Sequence, residues 1–104
     1  MIKNSIIKRI SKSIRSKDPT AEAILFGSRA RGDNRNNSDW DILILIDNEF
    51  VTNEIEDKFR DDLYSIELDS GQIISTFIYP KKYWRNKLKH SPLYKNVTQE
   101  GINL

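Results

Sequence analysis

The chain has 104 residues, 38% of them hydrophobic and 31% charged, with no cysteine, so residues 1–104 read as one domain with apolar content enough to fold. The missing cysteine excludes a disulfide scaffold, a thiolate zinc site and a cysteine nucleophile. The formal net charge of +2 is a near-cancellation of blocks: +6 over residues 1–17, −2 over 18–46, −7 over 47–69, +6 over 81–95 and −1 from Glu100, a pattern that favours oriented contacts with a charged partner over general nucleic-acid binding.

Ile2, Ile6, Ile10 and Ile14 recur every fourth residue with Ile7 beside them, which predicts an amphipathic helix from Ile2 to Arg15. Asp18-Pro19-Thr20 stops it, because proline cannot continue the helical ladder. Ala21 to Phe26 is short and apolar and reads as a strand ending at Gly27. Gly32 to Ser38 holds Gly, Asp, Asn and Ser residues that hydrogen-bond their own backbone, so it reads as a solvated loop.

From Asp39 a second strand begins, apolar on both faces from Ile42 to Ile46, as a central strand covered on both sides must be. That apolar run, the longest in the chain, is far short of the ~20 residues that cross a membrane. The basic N-terminus lacks a signal-peptide pattern, so a soluble cytoplasmic protein is expected. Phe50, Val51, Ile55, Phe59, Leu63 and Ile66 follow at helical spacing with an acidic outer face, on which Glu54 and Lys58 are placed to pair. Gly71 ends that helix, Gln72 to Tyr79 is a third strand, and Pro80 stops it. Lys81 to Leu104 is basic and aromatic, with a turn at Ser91-Pro92 and one or two short helices ending near Gly101. The element order predicts an α+β, α/β-like fold: a small β-sheet covered by helices.

The chemistry concentrates in Gly27-Ser28-Arg29-Ala30-Arg31-Gly32 and, after the polar loop, Ser38-Asp39-Trp40-Asp41. Asp39 and Asp41 are two apart on a strand and point to one face. At ~5.5 Å and an effective dielectric of ~20 their repulsion is about 3 kcal/mol, which calls for a cation. Oxygen ligands without His or Cys suit magnesium. The Gly27-Ser28 turn lets backbone approach closely and presents amides and a hydroxyl, which suits a phosphate, and Arg29 and Arg31 add charge-assisted contacts.

The stretch GSRARGDNRNNSDWDILILID resembles the minimal nucleotidyltransferases of the DNA polymerase beta superfamily, over at least Ala21 to Tyr79. The resemblance implies the polymerase beta-like fold, two magnesium ions held by Asp39 and Asp41, and ATP as nucleotide donor on Gly27, Ser28, Arg29, Arg31 and Ser38. It also implies transfer of AMP to an acceptor hydroxyl. Members often act as antitoxins to a helical toxin of the HEPN type, and some of those add AMP to a tyrosine of that partner. Active members carry a third carboxylate on the next strand, where this chain has Ser75 or Ile73. Glu67 and Asp69 reach the site only if the Ser70-Gly71 turn folds back. Without a third carboxylate, the alternative is a catalytically impaired antitoxin that neutralises its toxin by contact.

The remaining candidates have plainer readings. His90 reads as a surface residue. Tyr83, Trp84 and Tyr94 read as packing a helix on the sheet, with the neighbouring lysines in solvent, although stacking on bases is the other use of such a stretch. Trp40 is expected on the face opposite the carboxylates, under the N-terminal helix. Nucleic acid fits poorly as a partner because the acidic groups repel phosphate without metal, and homo-oligomerisation is left open.

Overall fold

A computed structural model describes residues 5–104. Its elements in chain order are α1 (Ser5–Lys17), β1 (Glu22–Phe26), α2 (Ser28–Arg31), β2 (Trp40–Ile46), α3 (Asn53–Ser70), β3 (Ile74–Pro80), α4 (Lys81–Lys87), α5 (Pro92–Glu100) and β4 (Ile102–Asn103). The strands form one sheet in the order β3-β2-β1-β4, with β2 and β3 parallel and the other two pairs antiparallel. This is the mixed sheet expected of the fold.

The doubly apolar strand is central, as its composition requires. Trp40, Ile42, Ile44 and Ile46 of β2 face one layer, where they meet Ile6, Ile10 and Ile14 of α1 and Phe59, Leu63 and Ile66 of α3. Leu43 and Leu45 face the other layer with Phe26, Trp84 of α4 and Val97 of α5. Each aliphatic side chain buried this fully contributes roughly 1.5–3 kcal/mol, so β2 is the spine of both half-cores. Trp40 thus sits opposite the carboxylates, in the cluster it shares with α1.

Element bounds differ from the sequence reading where capping decides them. Helix α1 runs two residues past Arg15, and Ile2 lies outside the described residues. Helix α3 starts at Asn53 because the Thr52 hydroxyl accepts from the Ile55 amide at 3.2 Å, which leaves Phe50 outside the helix and exposed. On its outer face Glu56 and Arg60 approach to 3.9 Å, whereas Glu54 and Lys58 form no ion pair. Gln72 and Ile73 precede β3, and Pro80 is its last residue and the N-cap of α4. Two short elements escaped the sequence pattern: α2, four residues long, and β4, two residues paired to Ile24 and Leu25.

The charge blocks meet across the fold. Arg9 reaches Asp69 at 2.8 Å and Lys17 reaches Asp62 at 3.5 Å, joining α1 to α3. Lys81 reaches Asp47 at 2.8 Å and Arg85 reaches Glu22 at 2.9 Å, joining α4 to the loop after β2 and to β1. Among the described residues no helix is long and apolar enough to cross a membrane.

Candidate active site

The two halves of the motif meet because β1 and β2 are antiparallel neighbours, with Phe26 opposite Asp41. The chain leaves β1 through Gly27 at φ 79°, ψ −162°, a conformation that side-chain-bearing residues avoid. A Cβ on Gly27 would lie 2.2 Å from Asp41 Oδ2, so the glycine is needed twice, for its dihedral and for the approach of the carboxylate. From Gly27 the chain enters α2, whose first turn is closed by the Ala30 and Arg31 amides donating to the Gly27 carbonyl, both at 3.0 Å.

Asp41 stands at the head of β2 and is partly buried, and Asp39 lies just before the strand, exposed. Burial, then Asp39, then Glu100 hold the Asp41 carboxyl above its ordinary pKa against the pull of Arg31. The two aspartates are an oxygen-only donor pair that fits a divalent magnesium ion. Among the described residues, however, no group of three His, Cys, Asp or Glu is placed to share a metal.

Of the two residues expected near the place of a third carboxylate, Ser75 is the one on β3. It pairs with Asp41 across the parallel β2–β3 ladder, and its hydroxyl donates to Asp39 Oδ2 at 3.2 Å. Ile73 lies outside the strand, with its carbonyl accepting from the Trp40 amide. Glu67 and Asp69 do not fold back. Glu67 Oε2 accepts from the Ile74 amide at 2.8 Å, which secures the start of β3, and Asp69 is paired with Arg9.

The remaining motif residues divide into two groups. Arg29 faces the polar loop: it donates to the Ser38 carbonyl at 3.0 and 3.3 Å and to the Asn36 carbonyl at 3.2 Å, with its guanidinium 4.4 Å above the Trp40 ring. Trp40 Nε1 and Arg29 both donate to Gln72 Oε1, so this knot fixes the loop that delivers Asp39. Ser38 belongs to it too, since its hydroxyl accepts from the Arg35 amide at 2.9 Å. Ser28 follows Gly27 directly. Arg31 pairs with Asp33 at 3.1 Å and with Glu100 at 3.0 Å.

Glu100 is the residue that sequence reasoning passed over. It ends α5, its side chain is 15% exposed, and it accepts a hydrogen bond from the Gly27 amide. The one sign of it in the sequence is a lone acid directly before Gly101, after a strongly basic block. The other candidates stand apart from this site. His90 is exposed, and Trp84 is buried between Tyr79 and Tyr94, with ring centroids 5.9 and 5.1 Å away. A groove of about 1230 Å³ between α1, α2 and β4, lined by Lys8, Lys12 and Arg15, contains neither aspartate.

Residues 7–101 match the family model described as "Nucleotidyltransferase domain". The chain belongs to this nucleotidyltransferase family. It is 32% identical over 103 residues to the Methanocaldococcus jannaschii protein named "Putative protein adenylyltransferase MJ0604", covering 97% of this chain and 96% of that one. It is 40% identical over 55 residues to the CCA-adding enzyme of Picrophilus torridus, covering 53% of this chain but only 13% of that enzyme. Two solved structures share the fold at 20% identity. One is a toxin-antitoxin with AMP-PNP, at a TM-score of 0.64 over 92% of this chain and 69% of that one. The other is a mutant of the toxin-antitoxin MntA-HpeT, at a TM-score of 0.63 over 94% and 70%. This nucleotidyltransferase domain therefore has its fold in common with toxin-antitoxin proteins.

Two outcomes follow from the site. Gly27→Ala should cost more stability in urea unfolding than Gly32→Ala, which shares a positive φ of 85° but has open space around it and should lose only about 1–2 kcal/mol. In an Asp41→Ala background the excess should shrink; equal losses for the two glycines would contradict the contact. The raised Asp41 carboxyl means that the folded protein holds this proton more tightly than the unfolded chain. Its ionisation therefore removes stability as pH rises from the ordinary carboxylate range through the folded pKa. Asp41→Asn should be stabilising at about pH 7, and the gain should fade as pH drops below the ordinary carboxylate range. A gain that does not change with pH would contradict this cause.

Proposed function

We infer that this chain is a magnesium-dependent nucleotidyltransferase that moves AMP from ATP onto a hydroxyl of a protein partner. The observation that carries this reading is the contact between Gly27 and Asp41, which puts a glycine-serine turn against a carboxylate pair. A phosphate on the first would then lie beside a cation on the second. The full-length similarity to a protein named as an adenylyltransferase supports AMP as the transferred group and a protein as acceptor. The toxin-antitoxin neighbours support a toxin as that partner, and the family resemblance implies one of the HEPN type.

In this reading the backbone of Gly27 and the hydroxyl of Ser28 hold the triphosphate, and Arg31 offsets part of its charge. Asp39 and Asp41 would hold magnesium, which would supply charge neutralisation on the phosphates and a lowered pKa for an acceptor hydroxyl. The acceptor oxygen bonds to the α-phosphorus, the bond from that phosphorus to the α–β bridging oxygen breaks, and pyrophosphate leaves. The Arg29–Trp40–Gln72 knot fixes the loop before Asp39, so the chain's main contribution is positioning. Ser75 is neutral and β3 carries no carboxylate, so the hydroxyl proton leaves to a group other than one on β3, either an aspartate of the pair or solvent.

Ser75 also favours a second reading, in which the chain binds nucleotide and partner but transfers nothing, neutralising its toxin by contact. Incubation with a co-purified partner and ATP labelled at either the α- or the γ-phosphate separates the two. The transferase reading expects the α-label alone on the partner, and its loss with Asp39→Ala plus Asp41→Ala. No label from either, with a stable complex, would overturn it in favour of contact.

A further inference from the structure

The Gly27 turn already holds an anion, and it is the protein's own. The Gly27 amide donates to Glu100 Oε2. Arg31 Nη1 donates to both Glu100 oxygens, at 3.2 Å to Oε1 and 3.0 Å to Oε2. A backbone amide and a guanidinium converging on one pair of oxygens are the donors that a phosphate takes. The carboxylate is largely enclosed while Arg31 remains 47% exposed, so these bonds are shielded on the Glu100 side and open to an incoming ligand on the Arg31 side.

The charges make this arrangement conditional. Asp33, Asp41 and Glu100 lie around Arg31, and Asp41 feels both Asp39 and Glu100. A triphosphate brought to the same turn would add several negative charges within a few ångströms of Glu100. Like charges at such range repel one another in a partly buried setting more than they would in bulk water. The backbone beneath Glu100 is anchored: at Gly101 a Cβ would lie 2.5 Å from the Val97 carbonyl and 2.8 Å from Ile24 Cγ2, and β4 then pairs with β1. With the backbone fixed, the Glu100 side chain is the part whose displacement would release the Gly27 amide and Arg31.

We propose that Glu100 is a resident stand-in for phosphate: it occupies the Gly27 amide and Arg31 while nucleotide is absent, and it yields both donors when a triphosphate binds. The inference rests on Gly27-Ser28 being the phosphate turn. Glu100 is then a positioning residue that keeps the turn and Arg31 in their binding geometry and sets a threshold for nucleotide entry. Its carboxylate competes with phosphate and does not assist it.

Calorimetric titration with ATP and magnesium, with inorganic tripolyphosphate and with adenosine tests this on the wild type and Glu100→Gln. The glutamine keeps an acceptor for the Gly27 amide and removes the charge. The expected result is tighter binding of ATP and tripolyphosphate by about 3- to 10-fold, with adenosine unaffected. A residue that merely supports the fold would give the opposite sign, so unchanged or weaker ATP binding by Glu100→Gln overturns the proposal while wild-type binding leaves the phosphate turn standing. If neither protein binds ATP or tripolyphosphate, the phosphate turn falls and this inference with it. Should Glu100→Gln fail to fold, the amide resonance of Gly27 in the wild type decides. It should move when ATP is added, and a resonance that stays in place while ATP binds would overturn the proposal.

Discussion

The site depends on one close approach, that of the Asp41 carboxylate to the backbone of Gly27. Where the two come together, a Cβ would stand 2.2 Å from the carboxylate oxygen, so only glycine permits it. Everything else in the site is arranged around this contact. The antiparallel β1–β2 pairing sets the register that places Phe26 against Asp41. The positive φ of Gly27 turns the chain into α2, which starts at Ser28 and brings Arg31 within electrostatic reach of Asp41. On the other side of the turn, α5 brings Glu100 to the Gly27 amide. Burial first, and then the neighbouring Asp39 and Glu100, raise the Asp41 carboxyl against the pull of Arg31, and the gathered acids make the site receptive to a cation.

The two half-cores hold this arrangement in place. Strand β2 shares one face with α1 and α3 and the other with α4 and α5, so Asp41, which lies on it, cannot shift without disturbing packed layers on both sides. The charge blocks lie mostly outside that core. Pairs such as Arg9 with Asp69 and Arg85 with Glu22 are well exposed and individually add little stability. Their effect is to cancel the blocks across element boundaries, which leaves the cluster around Arg31 as a place where acids outnumber bases at close range.

Much of this was legible in the sequence, because the signals were local and periodic. The run Ile42 to Ile46 could only be a central strand, the isoleucines of α1 could only be a buried stripe, and the glycine-serine and Asp-x-Asp pairs carried the family resemblance that the family match bears out. What escaped was made by contacts distant in sequence. Helix α2 is four residues long and shows no period, and β4 exists only through its pairing with β1. Arg29 has the composition of a phosphate ligand, yet its neighbours in space are Trp40, Gln72 and the carbonyls of the polar loop. Glu100 lies 73 residues from Gly27 along the chain, and no spacing rule connects them. Glu67 is the reverse case: near the site in sequence, it is engaged with the Ile74 amide in space.

The central claim is that the Gly27 turn and the two aspartates form one nucleotide and metal site, and a crystal structure with magnesium and a non-hydrolysable ATP analogue tests it most directly. The account predicts phosphate oxygens on the Gly27-Ser28 backbone and hydroxyl. It also predicts magnesium about 2.0–2.1 Å from oxygens of Asp39 and Asp41. A nucleotide bound elsewhere, in the basic groove of Lys8, Lys12 and Arg15 for example, with no metal on the aspartates, would contradict it.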